Sequence, residues 1–368
     1  KRQIIACPAI RERSCSPSGA CAGTKRLASS DSSTDRRTTH EPHFYTPDPR
    51  MSMSRCFLCY IVVTAILVSG CGAAQLGLCA PHTKEEGTPA HDWTECFNGP
   101  FTYADITHSV FCLDDGTAKP PVLLLHEISG LSPGTLAYAE TLSKDFTVYV
   151  PMLFGEKGKF SLVSGLRAYW FNGVVQFFPG GEWGISSEEG SSPIVNWLRG
   201  VVRKIDERHA QQHIGIIGNC MTGPLPLALL DHARVTAVVV AQPALPMRFW
   251  RYTDEDRHSL GLSDNDLQVA RRSTAKIYGV RFETDCIADR AKLFTLRKEF
   301  GDRFLDGEIP ASEYQPDGEP INMHSTLIGS WKTSVKAGQP SRNARERVRN
   351  FLLNKLGVSR SPNVPSHM

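Results

Sequence analysis

The stretch Gly215-Ile216-Ile217-Gly218-Asn219-Cys220-Met221-Thr222-Gly223 decides how this chain is read. The apolar run from His213 to Gly218 has the composition of a strand covered on both faces. It stops in a tight turn centred on Cys220, and a helix is expected directly afterwards. A turn that presents a nucleophile between strand and helix is strained and needs small neighbours. Gly218 precedes the nucleophile, and Gly223 lets helix and strand approach. The helix would aim its N-terminal N–H groups and positive dipole end at Cys220, which favours the thiolate. The Met221 N–H is then placed to meet developing negative charge. Thr222 stands where a small residue is usual, which narrows the turn. Pro224 and Pro226 are tolerable because they fall in the first helical turn. The plainer alternative is an inert buried thiol, since cysteine is among the most buried residue types.

Outward from this turn, strands and helices alternate. Pro121 to His126 is a continuous apolar strand, and Ser132 caps a helix that starts at Pro133. Phe146–Leu153 reads as the next strand, and apolar residues at helical spacing predict a helix from Pro193 to Arg208. Strands follow at Val235–Val240 and Ala275–Phe282, a helix around Ala288–Phe300, and a short strand near Pro320–Asn322. The last helix, Ala344 to Leu356, ends at Gly357. Repeated strand–helix units imply an α/β fold: a mostly parallel central sheet with helices on both faces. The Gly-rich, aromatic stretch 155–190 is long enough to border a cleft.

A second chemical signal is His126-Glu127-Ile128-Ser129-Gly130, at the end of the first apolar strand. The loop there can supply a second oxyanion N–H, from Ile128. Glu127 would sit beside Cys220, where its carboxylate could act on the thiol or its base; His126 reads as a satisfied strand-end residue. His324 follows the last expected strand. The loop after Ala275–Phe282 offers two acids, Asp285 nearer the strand and Asp289 beside Arg290. No His/Cys/carboxylate spacing reads as a zinc site, and no phosphate-binding glycine loop is present.

These stretches resemble the dienelactone hydrolase family, α/β-hydrolases with a cysteine nucleophile. The matching segments are Leu123–Leu131, Val150–Gly158, Gly215–Gly223 and Asn322–Leu327, spread in order over residues 95–357. The resemblance implies an α/β-hydrolase fold, a triad of Cys220, Asp285 and His324, and a glutamate near the thiol at Glu127. It implies cleavage of an ester or enol lactone through a thioester, with no cofactor. Family members hold the substrate carboxylate with arginines, one of them four residues beyond the histidine; here that position is Ile328. Two other readings stay open: a thioesterase or acyltransferase on the same scaffold, and a non-catalytic, membrane-tethered binding protein.

The chain has 368 residues with 41 Lys+Arg against 38 Asp+Glu. That balance gives no reason to expect a nucleic-acid partner, and a small-molecule ester or lactone is expected instead. Residues 1–50 lack apolar periodicity and read as a disordered or non-native extension. Residues 51–71 resemble a lipoprotein signal: Arg55, the apolar run Cys56–Val68, then Val68-Ser69-Gly70-Cys71, with Cys71 as the lipidated residue. Residues 72–90 would be a linker, 91–357 the folded domain, and 358–368 a flexible tail. The domain is expected outside the cytoplasm as a monomer, on a membrane through the anchor if the lipobox is used, or else secreted. Cys96 and Cys112 bracket the first strands, and a disulfide or two separate thiols are both compatible with that placement.

Overall fold

The computed structural model describes residues 91–159, 181–184, 190–246, 253–285, 287–313, 324–328 and 335–358, all within the unit Cys59–Met368. The expectations for residues 1–90 and Cys71, for most of the aromatic stretch, for Pro320–Asn322 and for nearly all of the tail fall outside them.

The strands are β1 Thr94–Glu95, β2 Phe101–Tyr103, β3 Ile106–His108, β4 Val110–Leu113, β5 Pro121–Leu124, β6 Thr147–Pro151, β7 Ile214–Asn219, β8 Val235–Ala241, β9 Lys276–Val280 and β10 Phe304–Asp306. β2 and β3 form a separate hairpin. The other eight make one sheet in the order β1-β4-β6-β5-β7-β8-β9-β10. Its pairings are parallel except β1 with β4 and β4 with β6. Counted along the chain within the sheet, this order is 1-2-4-3-5-6-7-8, that of an α/β-hydrolase fold.

Side-chain alternation divides the core between the two faces of the sheet. Val122, Leu124, Val148 and Val239 lie in one cluster with α1 (Pro133–Ser143) and α7 (Val335–Lys355). Leu123, Leu125, Ile216 and Val238 lie in the other with α2 (Pro193–Arg208) and α6 (Ala291–Phe300). Ser132 caps α1, its hydroxyl accepting the Thr135 N–H at 3.2 Å. α7 closes with Gly357 at φ +74° and the Val358 N–H donating to the Leu353 carbonyl. That is a glycine-terminated helix end, with the left-handed backbone that glycine adopts without strain.

Two features differ from the sequence reading, and a third decides an alternative that it left open. After Cys220 the chain makes a single 3₁₀ turn, Cys220–Thr222, and then only the four-residue α3, Leu225–Ala228. Pro224 and Pro226 lack the N–H donors that a longer helix needs. Two short helices, α4 Asp254–His258 and α5 Asp264–Arg272, precede β9, and β10 is an added edge strand. Cys96 and Cys112 form a disulfide, Cα atoms 5.5 Å apart, fastening the β1–β4 edge. Such bonds persist in oxidising surroundings.

Candidate active site

β7 delivers Cys220 to the turn with φ +53°, a left-handed backbone that costs a non-glycine residue energy. Neighbouring contacts hold it there. The Cys220 carbonyl accepts the N–H groups of Gly223 and Ala244, each at 2.9 Å. A Cβ at Gly218 would lie 2.3 Å from the Thr222 carbonyl, and one at Gly223 2.8 Å from the Pro243 Cα. Both positions therefore exclude any larger residue. Thr222 fastens the turn with its hydroxyl. That oxygen accepts the Asn219 N–H at 3.0 Å and lies within donating distance of the carbonyls of Asn219 (3.0 Å) and His126 (3.1 Å). The Asn219 amide donates to the Leu125 carbonyl at 2.9 Å. The turn is thereby tied to the end of β5, and Ile128 and Met221 are both buried in the same core cluster.

The helix dipole expected behind the thiol is truncated, because the 3₁₀ turn and α3 are too short to sum one. The charge partner of the thiol is His324, which is buried and whose protonated form Cys220 helps to stabilise. His324 Nδ1 lies 2.9 Å from both carboxylate oxygens of Asp285. Burial disfavours the imidazolium, but the attractions of Asp285 and Cys220 outweigh it and hold His324 well above the usual histidine range. Asp285 is itself fixed: its Oδ1 accepts the N–H groups of Ile287 and Ala288, each at 2.9 Å. Asp289 does different work, capping Ala291 at 2.9 Å and pairing with Arg257 at 2.8 Å.

Glu127 is wholly buried on the same side. Ser325 Oγ donates to its two oxygens at 2.7 and 2.8 Å, and Gln242 Nε2 donates at 2.7 Å. Burial raises the Glu127 carboxyl above the ordinary carboxylate range, against the opposing pull of His324 and these hydrogen bonds. Ser325 (φ +58°) and Gln242 (φ +32°) share the positive φ of Cys220. Strained backbone thus gathers around one buried carboxylate and one thiol, as it does at functional sites. Gln242 and Ser325 were not among the residues expected here; the signal for Gln242 is a polar side chain that ends the apolar run of β8. Ile328, at the arginine position, is fully buried in the apolar cluster with Leu131 and Tyr138. Among the described residues, no three His, Cys, Asp or Glu side chains are grouped to hold a metal ion.

His126 occupies a structural position. Its Nε2 accepts the Leu153 N–H at 3.0 Å, so Nδ1 carries the proton and donates to the Glu127 carbonyl at 2.8 Å. Burial pushes its pKa down to about 4. Between about 4 and the unfolded value near 6.5, the unfolded chain binds the extra proton. Stability therefore falls as pH drops through that window, by roughly 3 kcal/mol in all. Urea titrations at pH 7 and pH 4.5 should show a deficit at acid pH that His126→Gln largely removes; an equal acid loss in the variant would refute this.

No protein-family model matches the sequence, and no curated protein does. Solved structures are similar at low identity. A Klebsiella pneumoniae protein assigned as a dienelactone hydrolase is 13% identical with TM-score 0.45, over 69% of this chain and 94% of that one. An esterase from Pyrococcus furiosus is 14% identical with TM-score 0.46, over 76% and 100%. An α/β serine hydrolase without a lid from Xanthomonas campestris is 11% identical with TM-score 0.42, over 75% and 100%.

Proposed function

We propose that this protein hydrolyses activated esters or enol lactones, with Cys220 as nucleophile, His324 as base and Asp285 orienting His324. The observation that carries the reading is the arrangement at the end of β7: a thiol on strained backbone that favours the protonated form of a buried histidine, whose Nδ1 meets a carboxylate at 2.9 Å. In this reading Cys220 Sγ bonds to the substrate carbonyl carbon, and the N–H groups of Ile128 and Met221 receive the oxyanion. The C–O bond to the leaving group breaks as the His324 imidazolium gives the departing oxygen its proton, leaving a thioester and a neutral His324. His324 then takes a proton from water, whose oxygen attacks the thioester carbon, and the thiolate departs.

The leaving group is the basis for the substrate class. A tetrahedral adduct expels its better leaving group, and a thiolate leaves more readily than a simple alkoxide. Only a stabilised leaving group such as an enolate lets the reaction run forward. Unactivated alkyl esters are therefore expected to be poor substrates.

The test is pH-dependent alkylation by iodoacetamide with peptide mass spectrometry, alongside hydrolysis of enol lactones and alkyl esters. The expected result is rapid labelling of Cys220 below pH 7, slowed in His324→Ala, with a thioester trapped at Cys220 by acid quench. Labelling at the rate of an ordinary thiol, with pKa near about 8.5, together with no lactone turnover, would sink the proposal and favour a binding protein.

A further inference from the structure

Arg281 is a fully buried arginine just beyond β9, and nothing in the reaction above requires its charge. Four of its five N–H donors are nonetheless engaged. Nε donates to the Ala288 carbonyl at 2.9 Å, and Nη2 to the carbonyls of Asp285 at 3.1 Å and Glu283 at 3.3 Å. Nη1 pairs with the Glu308 carboxylate, which also takes Arg290 at 2.8 Å.

Residues 283–285 and 287–288 are therefore gathered from two sides. Their N–H groups at Ile287 and Ala288 turn toward the Asp285 carboxylate, and their carbonyls at Glu283, Asp285 and Ala288 turn toward the Arg281 guanidinium. Reversing the peptide after Glu283, Asp285 or Ala288 would leave a guanidinium N–H unpaired, and reversing the one before Ile287 or Ala288 would take a donor from the Asp285 carboxylate. A planar guanidinium with five donors can hold three carbonyls and a carboxylate at once, whereas an ammonium is a point charge with three donors.

We propose that Arg281, oriented by Glu308, is a positioning residue for the reaction. It fixes the backbone of Asp285, and through it the His324 imidazole, in the geometry in which His324 serves the reaction. The inference rests on the hydrolase reading above and assigns Arg281 no contact with substrate.

The experiment compares the wild-type chain with Arg281→Lys, Arg281→Met and Glu308→Gln, all at a temperature where each is folded by circular dichroism. Val201→Ala, which removes buried methyl groups from α2, serves as a control for lost stability alone. For Arg281→Lys and Arg281→Met, kcat on an enol lactone should fall about 10²-fold with KM little changed, as a displaced catalytic group would give. Alkylation of Cys220 should shift to higher pH, and the low-field proton resonance of the His324 Nδ1–H should broaden or vanish. Glu308→Gln should move the same readouts in the same direction by less. Val201→Ala should lose stability yet keep the wild-type profile.

Arginine variants that keep the wild-type pH profile and the low-field proton would overturn the inference. So would a Val201→Ala profile shifted as far as theirs, which would make the effect one of stability. A wild-type chain with neither lactone turnover nor a reactive thiol below pH 7 would sink the hydrolase reading itself, and the inference with it. The His324 proton would then show separately whether Arg281 orders the loop.

Discussion

Cys220→Ala is expected to remove enol-lactone hydrolysis by about 10⁴-fold or more, because removing the nucleophile disables a catalytic unit that acts as a whole. The fold should survive, since the turn is held by contacts the thiol does not make. Gly223 and Ala244 bond to the Cys220 carbonyl, and Thr222 and Asn219 tie the turn to the end of β5. Cys220→Ser is more informative. It keeps a nucleophile of similar size on the same strained backbone, but removes the thiol whose attraction helps hold His324 protonated. The serine oxygen and an alkoxide leave with comparable ease, whereas a thiolate leaves first. Cys220→Ser should therefore lose most lactone activity while its ratio of alkyl-ester to enol-lactone kcat/KM rises. Steady-state kinetics on one substrate of each kind measure this. An unchanged ratio in the serine variant would mean that leaving-group competition does not set the substrate class.

The sheet was legible because strands buried on both faces read as continuous apolar runs. Val122 and Leu124 go to one face of β5, and Leu123 and Leu125 go to the other. The turn at Cys220 was legible because only a strained strand–turn–helix needs glycines at both Gly218 and Gly223. What escaped reading shares a different origin. β10 is three residues long with two of them exposed, so no apolar run marks it. Reading Pro224 and Pro226 as tolerable within one first turn missed that the pair confines the segment to short turns. Arg281, Gln242 and Ser325 act through partners distant in sequence or through backbone carbonyls, and neither kind of partner leaves a spacing that residue types reveal. The candidate triad was approachable by order along the chain, but the polar residues that hold it in place were not.

Asp285→Asn is expected to lower turnover by about 10⁴-fold, the loss that follows when a triad histidine is held in the wrong tautomer. In the wild type, His324 Nδ1–H faces the carboxylate, which leaves Nε2 for the thiol or water. The asparagine oxygen can still accept the N–H groups of Ile287 and Ala288, so its NH₂ is turned toward His324. Nδ1 must then accept and Nε2 must carry the proton, leaving no base for Cys220 or water. The charge balance changes as well. Burial still opposes the imidazolium, while the strongest attraction that outweighs it is gone, so His324 falls back toward neutrality. Alkylation of Cys220 should move to higher pH in step with the lost turnover. Stability supplies an independent check with a definite sign. Because the folded His324 binds its proton more tightly than an unfolded histidine near about 6.5, its contribution is fully present below that pH. It is lost as pH rises through the higher folded value. The stability gap between wild type and Asp285→Asn, from urea titrations, should therefore be larger at pH 5.5 than at pH 9. A gap that stays constant across that range would show that Asp285 stabilises the loop without stabilising the imidazolium, and a thiol in Asp285→Asn that still reacts below pH 7 would remove Asp285 from the triad.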